Sequence, residues 1–202
     1  MPYVEASVRR RQLVAAARTA LSRDGVPGTS LRAVAAEAGV SLGTMQYVFP
    51  SKELLLRAVI EDVVSEIAEV LRDSADLGKG LEHAVRQALV GFWTRLVVGR
   101  ADLQVMQYEL TTYALRAAGQ EGLARWQYER YCGVVAEWCQ QAAQGAGETC
   151  AVPFGRLARV IVASLDGLIL QYACDPNDTR AREDLEAVIE MIVSLAGVRR
   201  SA

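Results

Sequence analysis

The side chains able to do covalent or metal chemistry are few and dispersed. The chain has one histidine, His83, and four cysteines, Cys132, Cys139, Cys150 and Cys174. No two cysteines form a CxxC pair and the histidine lies far from all of them, so the donors of a zinc site are not gathered. No nucleophile motif and no glycine-rich phosphate loop occurs, which leaves an enzyme little to work with and implies no cofactor. Cys132 and Cys139, seven residues apart, share a helix face; buried inert thiols are the expectation there, a thiol switch the alternative. A different inventory runs from Thr29 to Lys52, through Ser30, Arg32, Ser41, Thr44, Gln46 and Tyr47. These groups donate and accept hydrogen bonds or carry charge, the chemistry of recognising phosphate oxygens and base edges.

The distribution of charge agrees. Arg9, Arg10, Arg11, Arg18, Arg23 and Arg32 stand among the first fifty residues against Glu5, Asp24 and Glu37, which leaves 16 of the 22 basic and 21 of the 24 acidic residues for the remainder, within a net charge of −2. A basic head on an acidic body suits a polyanion at the head alone. The opening MPYVEASVRRRQ is too polar for a secretion signal, and the apolar run at 157–174 is interrupted by Arg159 and Asp166. It reads as a buried helix of a soluble protein rather than a membrane span. A cytoplasmic protein with reduced thiols is the expectation.

The elements that must position these groups are helices. Of the 202 residues 51% are apolar and 23% charged, and apolar positions recur at three and four with no sustained alternation of a strand, so the fold class is all-α. A first helix is expected from Ala6 to Arg23, stopped by Asp24-Gly25, with Leu13, Val14, Ala17, Ala20 and Leu21 inside. Thr29 or Ser30 caps a second that ends at Gly39, Ser41 a third from Leu42 to about Val48, and Ser51 a fourth from Lys52 to near Asp73. Further helices follow at about 81–99, 101–117, 119–145, 153–174 and 179–197, about nine in all, with the loop near Gly145–Thr149 expected to be the most mobile segment. The expected organisation is a three-helix head over residues 1–52 and a helical body over 53–202.

Residues 29–49 have the shape of a helix-turn-helix, with Ala35 and Ala38 small where two helices cross steeply and a tight turn at Gly39. Around it, RRRQLVAAARTALSRDG and TSLRAVAAEAGVSLGTMQYVFPSKELLLRAV resemble the DNA-binding region of the TetR family, over about residues 9–60. The positions that carry the resemblance are Gly25, Thr29-Ser30, Ala35, Ala38-Gly39-Val40-Ser41, Gly43-Thr44, Phe49 and Ser51-Lys52. The resemblance implies an N-terminal helix-turn-helix domain on a helical domain for ligand binding and dimerisation, and double-stranded DNA as partner. Thr29, Thr44 and Lys52 then face phosphates, with Ser30 and Arg32 beside them at the start of the second helix. Ser41, Leu42, Gly43, Gln46 and Tyr47 face base edges. Gln46 is the leading base reader, with adenine its natural match, while Tyr47 touches backbone or a thymine methyl, or packs at the helix end. Gln46-Tyr47-Val48 departs from the aromatic or histidine residues common there in the family, so the operator sequence stays open.

The family resemblance also implies a homodimer through the last two helices. Leu165, Leu168 and Tyr172 mark one apolar stripe and Leu185, Ile189 and Ile192 another, compatible with that interface or with the core of one chain. Phe92, Trp93, Met106, Tyr108, Tyr113, Trp126, Tyr131 and Trp138 collect in the middle helices and could line a pocket for a small, mostly apolar effector, or be plain core. Glu109, if buried there, would favour a cation; if exposed it is only a solvated charge, the commoner case. The expected function is a ligand-responsive repressor released from a palindromic operator. Its alternatives are a helical small-molecule-binding protein that makes no specific use of DNA, and a regulator or activator without an effector.

Overall fold

Small polar residues start the early helices. In the computed structural model, which describes residues 6–74, 76–119 and 121–200, Ser30 accepts from the Ala33 amide and Ser41 from the Thr44 amide, both at 3.1 Å. These caps open α2 (Leu31–Glu37) and α3 (Leu42–Val48). Ser51 takes the Leu54 amide at 3.2 Å and opens α4 (Lys52–Ser74). Ahead of them, α1 (Ala6–Gly28) is interrupted at Gly25, whose φ of 71° and ψ of 169° lie in a region open in practice only to glycine. The stop expected at Asp24-Gly25 is thus a break in the helix, and one more turn, Val26–Gly28, follows it.

Further along the chain come α5 (Leu81–Phe92), continued by a π-helical turn at Trp93–Val97, then α6 (Ala101–Arg116), α7 (Glu121–Gly145), α8 (Phe154–Cys174) and α9 (Asp178–Ala196). Asn177 caps α9 by accepting from the Arg180 amide at 3.0 Å. Two short strands, β1 (Glu148–Thr149) and β2 (Arg199–Arg200), pair antiparallel, Glu148 opposite Arg200.

The segment expected to be most mobile is tied down at several points. Glu148 sits beside Gly80, the residue before α5, which has no side chain with which to cap that helix; the Glu148 carboxylate accepts from the Leu81 amide at 2.8 Å instead. Gly80 has a φ of 95°, and a Cβ there would lie 2.6 Å from Glu148 Oε1. The Ala151 amide donates to the Ala196 carbonyl at 2.7 Å, which fastens the same loop to the end of α9.

Two compact units form, one from the residues up to Val63 together with Asp102–Gln127, the other from Val64–Ala101 together with the chain from Tyr128. In the first, Leu13, Ala17 and Leu21 of α1 are buried, as are Val34 of α2, Met45 of α3, Leu56 and Ile60 of α4, and Met106 and Leu110 of α6. In the second, α8 packs along α9 and α9 along α5, with Leu157, Ile161, Leu165, Leu185, Ile189 and Ile192 inside. Each such side chain contributes roughly 1.5–3 kcal/mol on burial.

Candidate nucleic-acid interface

α3 is only seven residues long, and its placement rests on two anchors. Met45 and Phe49, four apart and therefore on one face, are both 0% exposed. The opposite face turns to water: Ser41, Gly43, Gln46 and Tyr47 are exposed, Leu42 and Thr44 half-buried. Tyr47 stands 88% exposed. A Cβ built on Gly43 would meet nothing nearer than Ser41 Oγ at 3.8 Å, so this surface stays open to a close approach. The Ser41 and Thr44 hydroxyls lie 2.9 Å apart, a pair fixed at the amino end of α3.

The helices around α3 are tied to one another, and to its end, at several points. Gln12 of α1 donates to the Ala38 carbonyl at 2.9 Å, and Arg9 donates to Gln12 at 2.6 Å. The Arg10 guanidinium lies 4.6 Å from the centre of the Phe49 ring, at the carboxyl end of α3. Arg23 bridges to Glu37 of α2 at 2.9 Å. Arg10, Arg11 and Arg32 are exposed, and none of the three bonds to a carboxylate among the described residues. Exposed guanidinia beside an exposed helix face form a surface that attracts phosphate.

Two residues expected at this surface are placed otherwise. Thr29 is 3% exposed and donates its hydroxyl to the Gly25 carbonyl at 2.8 Å, so it serves the end of α1 rather than a phosphate. The Lys52 ammonium donates to the Val26 carbonyl and lies 5.3 Å from the centre of the Tyr113 ring; burial pulls its pKa down. Glu109 is drawn into the same cluster, its carboxylate accepting from the Val26 amide at 3.2 Å. α6 thereby grips both the N–H and, through Lys52, the C=O of the residue that follows the Gly25 break. Spacing along the chain carries no sign of this, since the partners are 26 and 83 residues apart.

The eight aromatic and methionine candidates for a ligand site divide between the two units. In the first, Met106 is buried and Tyr108, Tyr113 and Trp126 are half-buried, with the Arg57 guanidinium 4.9 Å from the Trp126 ring centre. In the second, Phe92 is half-buried and Trp93 buried, edge-on to Tyr172 at 5.5 Å. Tyr131 and Trp138 of α7 are buried there too, and the Trp138 indole N–H meets no acceptor among the described residues. A groove of about 340 Å³ between the end of α5 and α9 takes in Trp93, Val90, Leu185 and Arg182, and no other residue of the eight. Cys139 is buried and its thiol is pushed up to about 12 by burial, which suits an inert core sulfur.

Of the residues expected at a dimer interface, Leu165, Leu185, Ile189 and Ile192 are between 0% and 8% exposed within a single chain and pack in its core. Leu168 and Tyr172 remain half-exposed, and Leu170 and Met191 add apolar surface at 52% and 58%. By length and composition α8 could cross a membrane, but it carries Arg159 and Asp166.

A group the sequence reading noted only as an interruption is Asp166. It is half-buried on α8 and accepts from the Tyr128 hydroxyl at 2.9 Å. Its signal in the sequence is its position, the one acidic residue of α8.

Residues 13–59 match the family described as bacterial regulatory proteins, tetR family. The chain is 26% identical over 190 residues to the HTH-type nicotine-responsive transcriptional repressor HdnoR of Paenarthrobacter nicotinovorans, covering 94% of this chain and 96% of that protein. Among solved structures, a TetR-family transcriptional regulator from Rhodococcus superposes with a TM-score of 0.76 at 19% identity, over 93% of this chain and 98% of that one. A SmeT–triclosan complex superposes at 0.65 and 18%, over 96% and 93%.

Proposed function

We propose that this chain, whose residues 13–59 match the TetR family of bacterial regulatory proteins, is a ligand-responsive repressor that holds a palindromic operator as a homodimer and releases it when a small, mostly apolar effector binds. The observation that carries this reading is α3, a short helix anchored by Met45 and Phe49 that presents Gln46 and Tyr47 to solvent. Such a helix enters a major groove with its exposed face toward base edges. Gln46 reads a base, Tyr47, Ser41, Leu42 and Gly43 complete the contact, and Ser30, Arg32, Thr44 and Arg10 meet phosphates.

One short helix binds weakly. Two such helices about 34–36 Å apart meet successive major grooves, so the operator repeats with the symmetry of the dimer. Leu168, Leu170, Tyr172 and Met191 supply the apolar surface for that pairing, which in turn accounts for the exposed apolar face of α8 without a membrane. A cytoplasmic regulator with no catalytic role follows. For the effector, support comes from a relative responsive to nicotine and a fold neighbour in complex with triclosan, both small aromatic compounds. The contacts of Glu109 and Tyr113 with Val26 and Lys52 give α6 a grip on the end of α1, through which a shift of α6 would reach the head. By linkage, DNA weakens effector binding by the same factor that effector weakens DNA binding.

The test is a titration of the protein on DNA flanking its own coding region and on scrambled DNA at two salt concentrations. Specific binding with two subunits per site, or a multiple, is expected. Equal, steeply salt-dependent binding to both DNAs would leave only nonspecific electrostatics and overturn the reading.

A further inference from the structure

The groove between the end of α5 and α9 lies wholly within the second unit, and the π-helical turn builds one of its walls. The Val98 amide donates to the Trp93 carbonyl at 3.0 Å, five residues back. Trp93, Thr94 and Val98 of this wider turn line the groove together with Val90, and such turns recur at functional sites. Trp93 and Leu185 are 7% and 4% exposed and close the floor, while Val90 and Val98 keep 49% and 42% of their surface in water. At about 340 Å³ the groove reaches the size of small-molecule sites.

The facing wall carries charge. Asp178, Arg182 and Glu186 of α9 line it at four-residue intervals, about 6 Å apart along the helix, in the order acid, base, acid. Asp178 is held by the Tyr172 hydroxyl, which donates to it at 2.7 Å, and the Tyr172 ring stands edge-on to Trp93. The side chains of Arg182 and Glu186 are exposed and have no hydrogen bond or ion pair among the described residues, with each other or with any other group. By contrast, Arg180 is paired with Asp175, and Arg86 with Glu82 and Glu190. A lone anion in the groove would meet Glu186 and Asp178, and a lone cation would meet Arg182. A molecule with both charges and an apolar body satisfies the guanidinium, the carboxylate and the half-uncovered valines together. Arg182 and Met191, nine residues apart, stand on opposite sides of α9, so the charged wall faces away from the Met191 surface assigned to the dimer.

We propose that this groove binds a free α-amino acid with an apolar side chain, its carboxylate on the Arg182 guanidinium, its ammonium on the Glu186 carboxylate and its side chain against Trp93, Val90 and Val98. This rests on the reading of the chain as effector-responsive and names the chemical class of the effector.

The experiment compares L-phenylalanine with two analogues of the same shape. L-Phenylalaninamide keeps the ammonium without the carboxylate, and L-3-phenyllactate keeps the carboxylate with a hydroxyl in place of the ammonium. Calorimetry measures binding of each to the full chain, and operator occupancy is followed in parallel. L-Phenylalanine is expected to bind at least tenfold tighter than either analogue, and at least tenfold tighter than L-alanine, which lacks the apolar body. Arg182→Gln should erase the advantage over the amide, and Glu186→Gln the advantage over phenyllactate. Both positions are exposed, so circular dichroism should show an unchanged fold. Equal binding of the three aromatic probes, binding of none, or advantages that survive these substitutions would each overturn the site. If the amide or phenyllactate releases operator DNA as well as L-phenylalanine does, the effector reading stands and the amino-acid site falls. If L-phenylalanine binds through Arg182 and Glu186 yet leaves operator occupancy unchanged, the site stands and the effector reading falls.

Discussion

Gln46 and Tyr47 are adjacent and both exposed. Gln46→Ala is expected to flatten preference at one operator position by about 1–3 kcal/mol while leaving the others intact; binding measured on a set of single-base operator variants checks it. Arg10 and Lys52 make a contrasting pair. Arg10 is exposed over Phe49, so Arg10→Ala should weaken all DNA alike and lower the slope of log affinity against log salt by about one. From its position in the sequence Lys52 would be given the same role, but its ammonium is held by the Val26 carbonyl. Lys52→Ala should therefore leave that slope in place and cost about 1–3 kcal/mol of stability, read as a lower melting temperature. Asp166 gives a signed pH effect. Its carboxyl is raised in the folded chain, chiefly by burial, so the stability it contributes is present below its unfolded pKa and is lost as pH rises through the folded one. Without ligand, Asp166→Asn should melt higher than the unaltered chain at neutral pH and show no such gain in acid.

At the level of elements, the local rules of helix initiation operate where short-range chemistry suffices. Ser30, Ser41, Ser51 and Asn177 each cap the helix that follows within three residues, and a cap of that kind is legible from the chain alone. The break in α1 is a stricter case. Gly25 combines a φ of 71° with a Glu109 oxygen 2.8 Å from where a Cβ would sit. Gly25→Ala should therefore destabilise by about 1–3 kcal/mol, or roughly 2–4 °C per kcal/mol in a chain of this size, visible in thermal melting. The Gly145–Thr149 loop shows where composition misleads: glycine and small residues suggest mobility, while Glu148 and Ala151 tie the loop to Leu81 and Ala196 over 67 and 45 residues of chain.

For the whole molecule, burial decides which apolar stripe belongs to the core and which is left for a partner. Ile189 at 3% exposure is inside the single chain, whereas Leu168 is half-exposed. Leu168→Glu is thus expected to give folded monomers with poor operator affinity, and Ile189→Glu an unfolded chain. Sedimentation together with circular dichroism distinguishes the two, and a Leu168→Glu dimer of unchanged strength would remove this face as the interface. The helical class and the helix-turn-helix, with Gln46 and Tyr47 on the exposed face of its second helix, were determined by the sequence itself, because periodicity and capping act between residues a few positions apart. The tertiary structure decided the partners of Thr29, Lys52 and Glu109, the placing of Leu165, Leu185, Ile189 and Ile192 in the core, and the meeting of Tyr128 with Asp166. Those contacts join side chains on different helices, and which face of a helix is covered depends on what packs against it, a fact that does not exist until the chain has folded.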